Sequence, residues 1–385
     1  MVQHDLNLAD LAIQQQSADT KPIHPPRWTV GWGFTSRCDL SCAFCYSSKV
    51  RSDPGTGDDL PLESALAFLK RNRRYIESLN FGTGESTVSP VFAQVLSYCE
   101  QHVPHAAIAL TTNGAMARRS VTRRDYILSQ LDECDVSLDF AEAKMHDAWR
   151  GASGVWKSAI ESVEELISAG VSTTIVMIGT KQTLTLRNLD GMLTLASHYG
   201  VPLRINLYVP TTGDFSFSPN MEELWSAIRY LHEESDSMAS SDPLIGALMN
   251  MLFWGDEHRS CRILPDGKVT ASTYLLSDPW VAENRLDTVD LSELDDTEAF
   301  ISYRKPAIPD GCRDCPFVSD CRGGSPVRRW LWFKTLDKAD PFCPIASGVD
   351  RSNGLADFQY VSGKPWSGPN IHLNYLPTIM ARRDQ

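Results

Sequence analysis

The sequence predicts an α/β protein built on a parallel sheet, and two observations carry that prediction. Six short apolar runs recur between residues 28 and 208, and helical patterns with apolar residues at helical spacing separate them. The strand-like runs lie at 28–34, 78–82, 106–112, 135–138, 172–178 and 203–208. The helical patterns lie at 62–77, 90–102, 122–131, 156–169 and 186–199. Such alternation implies parallel strands joined by right-handed crossovers. Six units fit an open doubly wound sheet or an incomplete barrel, and periodicity does not separate the two.

Length and composition bound the rest. The chain has 385 residues, 42% hydrophobic and 22% charged, enough apolar material for a sizeable core. Single cores stop growing at roughly 250 to 300 residues, so two units are expected. A net charge of -12 argues against nucleic acid as a partner, because phosphate binding leaves a basic footprint. No stretch is long enough to span a membrane and the first residues lack the pattern of a secretory signal, so a cytoplasmic protein is expected. Ten cysteines in that setting point to metal-binding thiolates before disulfides.

Residues 1–27 are polar and contain Pro22, Pro25 and Pro26, which suits an extended or mobile leader. The first unit is expected over 28–254, closing with helices at 221–233 and 243–254. A loop-rich unit over 255–345 follows and carries five of the ten cysteines. Residues 346–385 hold several Pro and Gly with little periodicity and are expected to wrap a surface or remain mobile.

Cys38, Cys42 and Cys45 stand in the first strand-to-helix loop, the kind of loop that faces the ligand in parallel α/β folds. Three thiolates within eight residues can curl around one metal centre, and on a four-iron cluster they leave one iron open to bind a substrate. A zinc knuckle is the competing reading, but zinc sites close with a fourth Cys or His, and no His lies nearby after Cys45.

The spacing Cys-x3-Cys-x2-Cys, with Phe44 just before the third Cys, resembles the signature of the radical S-adenosylmethionine superfamily. The resemblance implies a partial (β/α)6 TIM barrel holding a [4Fe-4S] cluster whose open iron chelates S-adenosylmethionine, with Phe44 near the adenine. Gly82-Thr83-Gly84-Glu85 is similar to the family's Gly-Gly-Glu element, which holds the methionine amino group, although Thr83 replaces the usual second glycine. Thr112-Asn113-Gly114 resembles a recurrent family turn, making Asn113 a cofactor contact, and Ser137 and Asp139 stand where members of the family contact the ribose. The stretch 145–151, with His146 and Arg150, is similar to one in peptide-modifying members, and no individual role is carried onto it. Cys99 and Cys134 read as small buried hydrophobes.

A second group, Cys312, Cys315, Cys321 and Cys343, supplies four thiolates for one cluster or one zinc ion. It resembles the SPASM extension, a C-terminal iron-sulfur domain with auxiliary [4Fe-4S] clusters, and matches all four ligands of the outer cluster. The opening hairpin is similar at 261–267. For the inner cluster only Cys261 matches: Ala271 and Ser272 stand where a hairpin Cys is expected, and Ser325 replaces another. Cys261 is thus a candidate auxiliary ligand in exchange for Cys343, or a solitary buried thiol.

The resemblance implies an enzyme, oxidoreductase or lyase, that modifies a ribosomally synthesised precursor peptide by crosslinking, backbone excision or epimerization, as maturases of Nif11-like peptides and spliceases do. Expected partners are the precursor peptide, an electron donor such as flavodoxin or ferredoxin, and a separate leader-recognition protein, since only 27 residues precede the first strand. Two alternatives stand beside it: a dehydrogenase of a protein residue or small molecule, like the sulfatase-maturing enzymes, and a non-catalytic binding protein stabilised by zinc or iron. Tyr46, Tyr208 and Arg204 are placed at strand ends, and no catalytic acid or base is assigned.

Overall fold

A computed structural model describes residues 27–47, 59–251, 259–348, 366–368, 371–373 and 376–384. Strands β1 (Trp28–Trp32), β2 (Ile76–Phe81), β3 (Ala107–Thr112), β4 (Glu133–Ser137), β5 (Ser172–Gly179) and β6 (Leu203–Leu207) lie side by side and parallel. Helices α1 (Leu62–Asn72), α2 (Phe92–His102), α3 (Val121–Ser129), α4 (Ala143–Arg150), α5 (Val155–Ser168) and α6 (Leu186–His198) make the crossovers. All five residues of β1 are buried, as expected of a parallel strand covered on both faces. In α5, Val155, Ala159, Val163 and Leu166 form the buried stripe of an amphipathic helix. Ala159, Val163 and Leu166 belong to one core with Ile175 and Met177 of β5, which also holds Trp28, Trp32, Phe68, Phe81 and Trp225.

Two more helices, α7 (Met221–Glu234) and α8 (Pro243–Leu248), precede β8 (Arg259–Ile263), β9 (Lys268–Thr270) and β10 (Val281–Arg285). The start of α7 is set by a capping box: Asn220 Oδ1 accepts the Glu223 N–H at 2.9 Å, and Glu223 Oε2 accepts the Asn220 N–H at 2.8 Å. β8 pairs parallel with β1 and turns back antiparallel into β9, so the hairpin that opens the cysteine-rich region extends the barrel sheet. Helices α9 (Glu298–Arg304), α10 (Val318–Cys321) and α11 (Pro326–Phe333) follow. The sheet is continuous over eleven strands, ordered β10-β9-β8-β1-β2-β3-β4-β5-β6-β11-β7, where β7 is Ser237–Ser240 and β11 is Ile379–Arg382.

The structure departs from the sequence reading in four places. The helix expected over 62–77 ends at Asn72, because Ile76 enters the sheet opposite Trp28, whose N–H bonds to Tyr75 O at 2.7 Å. The helix expected over 243–254 ends at Leu248, and Asn250 turns the chain with φ of 48°; residues 252–254, and with them the expected boundary, lie outside the described residues, as do residues 1–26 of the leader expected over 1–27. Helix α4 was not expected: it is eight residues long with His146 its one fully buried residue, so it carries no apolar stripe to read. The end of the chain, expected on a surface or mobile, instead supplies β11, antiparallel between β6 and β7. Buried Ile379 and Ala381 hold it there, while 349–365 lie outside the described residues. No helix among the described residues is long and apolar enough to cross a membrane.

Candidate active site and cysteine centres

The first cysteine loop leaves the C-terminal end of β1, and a cavity of about 150 Å³ opens there. Each of the six parallel strands contributes to its wall: Cys38, Cys42, Phe44 and Cys45 after β1, Gly82 and Gly84 after β2, Thr111 to Asn113 at the end of β3, Ser137 of β4, Met177 and Ile178 of β5, and Asn206 of β6. This is the end at which a barrel of parallel strands places its ligand-binding loops. All ten cysteines are thiols.

Local hydrogen bonds fix the cysteine loop. Cys45 N–H donates to Cys42 O at 3.2 Å, closing the turn between these two thiols. Asn113 Nδ2 lies 3.6 Å from Cys38 Sγ and donates to Asp39 Oδ1 at 2.9 Å. Burial works against the charge of Asp39, yet the bonds from Asn113 and Arg118 hold its carboxyl below the ordinary range. Ser47 Oγ lies 3.1 Å from Cys45 Sγ.

Gly84 locks this loop onto the turn after β2. Its φ is +62°, and a Cβ there would stand 2.4 Å from Arg37 O and 2.7 Å from Thr35 O. Glu85 N–H donates to the same Arg37 O at 2.7 Å. Glu85 itself is buried and turned inwards, accepting from Thr87 Oγ1 at 2.6 Å, Thr112 Oγ1 at 3.0 Å and Asn113 N at 2.7 Å. Burial raises its pKa. Thr83 is also buried; its hydroxyl lies 3.4 Å from Tyr46 Oη, and its backbone has none of the positive φ that would demand glycine. The replaced glycine of the Gly-Gly-Glu element is therefore sterically accommodated.

Asp139 likewise lies behind the wall. It bonds Arg150 Nε at 2.6 Å, accepts Ile178 N–H at 3.0 Å, and its own N–H donates to His146 Nδ1 at 3.1 Å. Burial lowers the His146 pKa to about 4, so its ring is a neutral acceptor. Of the residues expected to touch S-adenosylmethionine, Phe44, Gly82, Gly84, Asn113 and Ser137 line the cavity, whereas Thr83, Glu85 and Asp139 support it from behind.

Sequence reasoning assigned no role to Arg150, which also lines the cavity. Its guanidinium lies over the Phe44 ring at 5.3 Å, and Trp149 stacks on Phe44 with centroids 4.6 Å apart. Burial opposes its charge, but Asp139 and Cys42 raise its pKa, so it is a fixed cation. Burial raises the Cys42 pKa and the Arg150 charge opposes that rise. The signal lay in the stretch 145–151, where Trp149 and Arg150 end α4 just before Gly151 at φ of +77°. Met177, Asn206 and Tyr274 also went unassigned, because strand interiors and loops give no spacing to read.

In the second group, Cys312, Cys321 and Cys343 are buried and Cys315 is half-buried. Burial raises the Cys312, Cys321 and Cys343 thiols, Cys343 to about 11, and each is raised further by another cysteine of the group. A cationic metal centre would stabilise these three as thiolates, and with Cys315 the donor set fits an iron-sulfur cluster. A single tetrahedral zinc would draw its sulfurs to about 3.8 Å of one another. Among the described residues no three cysteine sulfurs lie within 4.8 Å, so both groups are spread more widely.

The turns are held from below. Gly324, at φ of +89°, leaves no room for a Cβ beside Asp340, and Asp340 with Asp242 clasps buried Arg328. Where the inner-cluster cysteines are missing, Ser325 caps α11 by accepting Arg328 N–H at 3.5 Å, and Ser272 Oγ accepts Tyr274 N–H at 3.4 Å. Cys261 sits inside β8 opposite Val30, with Arg262 and Asp295 as its charged neighbours. Cys99 and Cys134 are buried in the core.

Residues 32–189 match the Radical SAM superfamily, so this part of the chain is a radical SAM domain, the catalytic unit of an enzyme whose cofactors are a [4Fe-4S] cluster and S-adenosylmethionine. The chain is 28% identical over 330 residues to mycofactocin maturase MftC of Mycobacterium tuberculosis, covering 81% of each chain. It is 25% identical over 144 residues to the antilisterial bacteriocin subtilosin biosynthesis protein AlbA of Bacillus subtilis, covering 37% of this chain and 31% of AlbA. In fold it is similar to Streptococcus suis SuiB bound to precursor peptide SuiA, with a TM-score of 0.63, 15% identity, and 83% and 76% of the two chains covered. It is also similar to anSMEcpe with bound AdoMet, with a TM-score of 0.67, 15% identity, and 87% and 98% covered.

Proposed function

We propose that Cys38, Cys42 and Cys45 hold the radical-generating cluster, that Cys312, Cys315, Cys321 and Cys343 hold the auxiliary one, and that the enzyme modifies a ribosomally synthesised precursor peptide. One observation carries the reading: three thiols share a cavity walled by all six parallel strands or the loops that follow them, in a chain similar over 81% of its length to a maturase. When bound, the cluster and S-adenosylmethionine supply a 5'-deoxyadenosyl radical able to abstract hydrogen from an unactivated carbon. The chain's residues do the rest. Gly82 and Gly84 leave room for close approach of a ligand to backbone. Phe44 and Trp149 cover the cysteine loop with apolar surface, and Arg150 offers a fixed cation to an anionic group of the cofactor.

Crosslinking, backbone excision and epimerization all begin with such an abstraction, and the reading spans the three. A flavodoxin- or ferredoxin-type donor and a leader-binding protein complete the proposed system. The thiolate ligation proposed for seven of the ten cysteines suits a reducing, cytoplasmic setting. The dehydrogenase and binding-protein alternatives are less favoured, since the named relatives of this chain are maturation and biosynthesis proteins.

The test is mass spectrometry of candidate precursor peptides after anaerobic incubation with iron-reconstituted enzyme, dithionite and S-adenosylmethionine. A mass change that requires Cys42 supports the reading. Turnover of free amino acids or alcohols, with every peptide unchanged, would transfer the site to the dehydrogenase alternative.

A further inference from the structure

Below the cavity floor, the barrel interior carries linked polar side chains that the cofactor reading does not use. Thr111 lines the cavity, and its hydroxyl lies 3.3 Å from Nε2 of His372, a residue of the C-terminal segment. On the far side of the ring, His372 Nδ1 lies 2.5 Å from Glu133 Oε1 and 3.4 Å from Asp135 Oδ1. Glu133 also accepts the backbone N–H groups of His372 and Ile371, at 3.1 and 3.2 Å, which fixes the carboxylate and the imidazole on one another.

His372 and both carboxylates are buried. Burial opposes charge on Glu133, but the hydrogen bonds from the His372 ring and from the backbone of His372 and Ile371 hold the carboxyl below its ordinary range. An ionised carboxylate calls for a proton on Nδ1, which leaves the Nε2 lone pair facing the Thr111 hydroxyl. The surrounding charge suits a proton landing on that ring. Glu133 and Asp135 contribute two negative charges, Arg204, ion-paired with Asp135, contributes one positive, and an imidazolium brings the sum to zero. Arg204 also stands where a metal ion bound to these carboxylates would meet repulsion, so the trio suits a proton better than a cation.

We propose that Thr111, His372 and Glu133 form a proton relay serving the floor of the active site, with Thr111 touching substrate and His372 acting through it. The order hydroxyl, imidazole, carboxylate is that of a general base with its orienting group. In the step, an O–H, N–H or S–H group of the bound peptide gives its proton to Thr111 Oγ1 while the Thr111 proton passes to His372 Nε2. The substrate becomes the anion, the ring becomes imidazolium beside Glu133, and no electron changes hands. The inference rests on the peptide-modifying reading for its substrate, and on the contacts of His372 with Thr111 and an ionised Glu133 for its tautomer.

Two measurements separate those supports. In the full, iron-reconstituted chain labelled with 15N-histidine, NMR is expected to show the His372 ring proton on Nδ1 and a bare Nε2; a proton on Nε2 would overturn the relay whatever the substrate. In turnover with precursor peptide, Thr111→Val and His372→Gln are expected to lower modified peptide formed per 5'-deoxyadenosine by about a hundredfold. Thr111→Ser is expected to restore the ratio, and all three keep the cavity's size within a methyl group or a similar side chain. An unchanged ratio in Thr111→Val would overturn the relay. If wild type forms 5'-deoxyadenosine and leaves every peptide unmodified, the peptide reading fails and the NMR result alone decides the relay.

Discussion

Replacing Gly84 by Ala tests how the radical-site loop is held. The new Cβ would stand 2.4 Å from Arg37 O and 2.7 Å from Thr35 O, about 1 Å inside the ordinary separation of roughly 3.5 Å. Both atoms are backbone, so no rotamer relieves the clash. The left-handed conformation at φ of +62° costs a further 1–2 kcal/mol, roughly, for any residue with a Cβ. With overpacking at about 1–3 kcal/mol, the total is about 2–5 kcal/mol. Relief must come from moving Arg37, whose neighbour is Cys38, so the expected result is loss of both stability and iron. Gly82→Ala is the control: its nearest contact would be Thr111 at an ordinary 3.5 Å. The assay is iron per chain after anaerobic reconstitution, with urea denaturation alongside. Full iron and wild-type stability in Gly84→Ala would refute the argument.

Three other outcomes are expected. Arg328→Met leaves the buried carboxylates of Asp242 and Asp340 without their cation and should cost about 3–5 kcal/mol by urea denaturation. His146, buried and lowered to about 4, binds its proton more readily in the unfolded chain; stability present above pH 6.5 should fall as pH drops towards 4, by about 3 kcal/mol in all, and His146→Gln should flatten that slope in denaturation curves at several pH values. Deleting residues 376–385 removes β11 and opens the edges of β6 and β7, so the shortened chain should aggregate in size-exclusion chromatography where the full chain does not.

The parallel sheet was legible because its strands are buried on both faces and its crossover helices bury an apolar stripe, as β1 and α5 show. The first cysteine loop was legible as part of a site because its three thiols lie close in sequence, and all three line the cavity. What escaped shares one physical character: contacts between residues far apart in the chain. Glu85 and Asp139 read as cofactor contacts from their motifs, yet their hydrogen bonds go to Thr112, Asn113 and Arg150 of neighbouring loops. Helix α4 lacks periodicity because its conspicuous side chains serve the site and its inner face rests on His146. His372 is 261 residues from Thr111, and β11 pairs through a short segment whose burial only the assembled sheet reveals. Gly82 and Gly84 look alike in the motif and differ in space, because only Gly84 has the positive φ and the backbone of Arg37 above it.

The decisive measurement is 5'-deoxyadenosine formation by anaerobically reconstituted protein supplied with dithionite and S-adenosylmethionine, in wild type, Cys42→Ala and Cys99→Ala. Cys42 lines the cavity, while Cys99 is a core thiol pushed up to about 12 by burial. The expected result is product from wild type and from Cys99→Ala and none from Cys42→Ala. Wild-type rates in Cys42→Ala, or no product from iron-replete wild type with precursor peptide present, would contradict the assignment of the radical site to Cys38, Cys42 and Cys45.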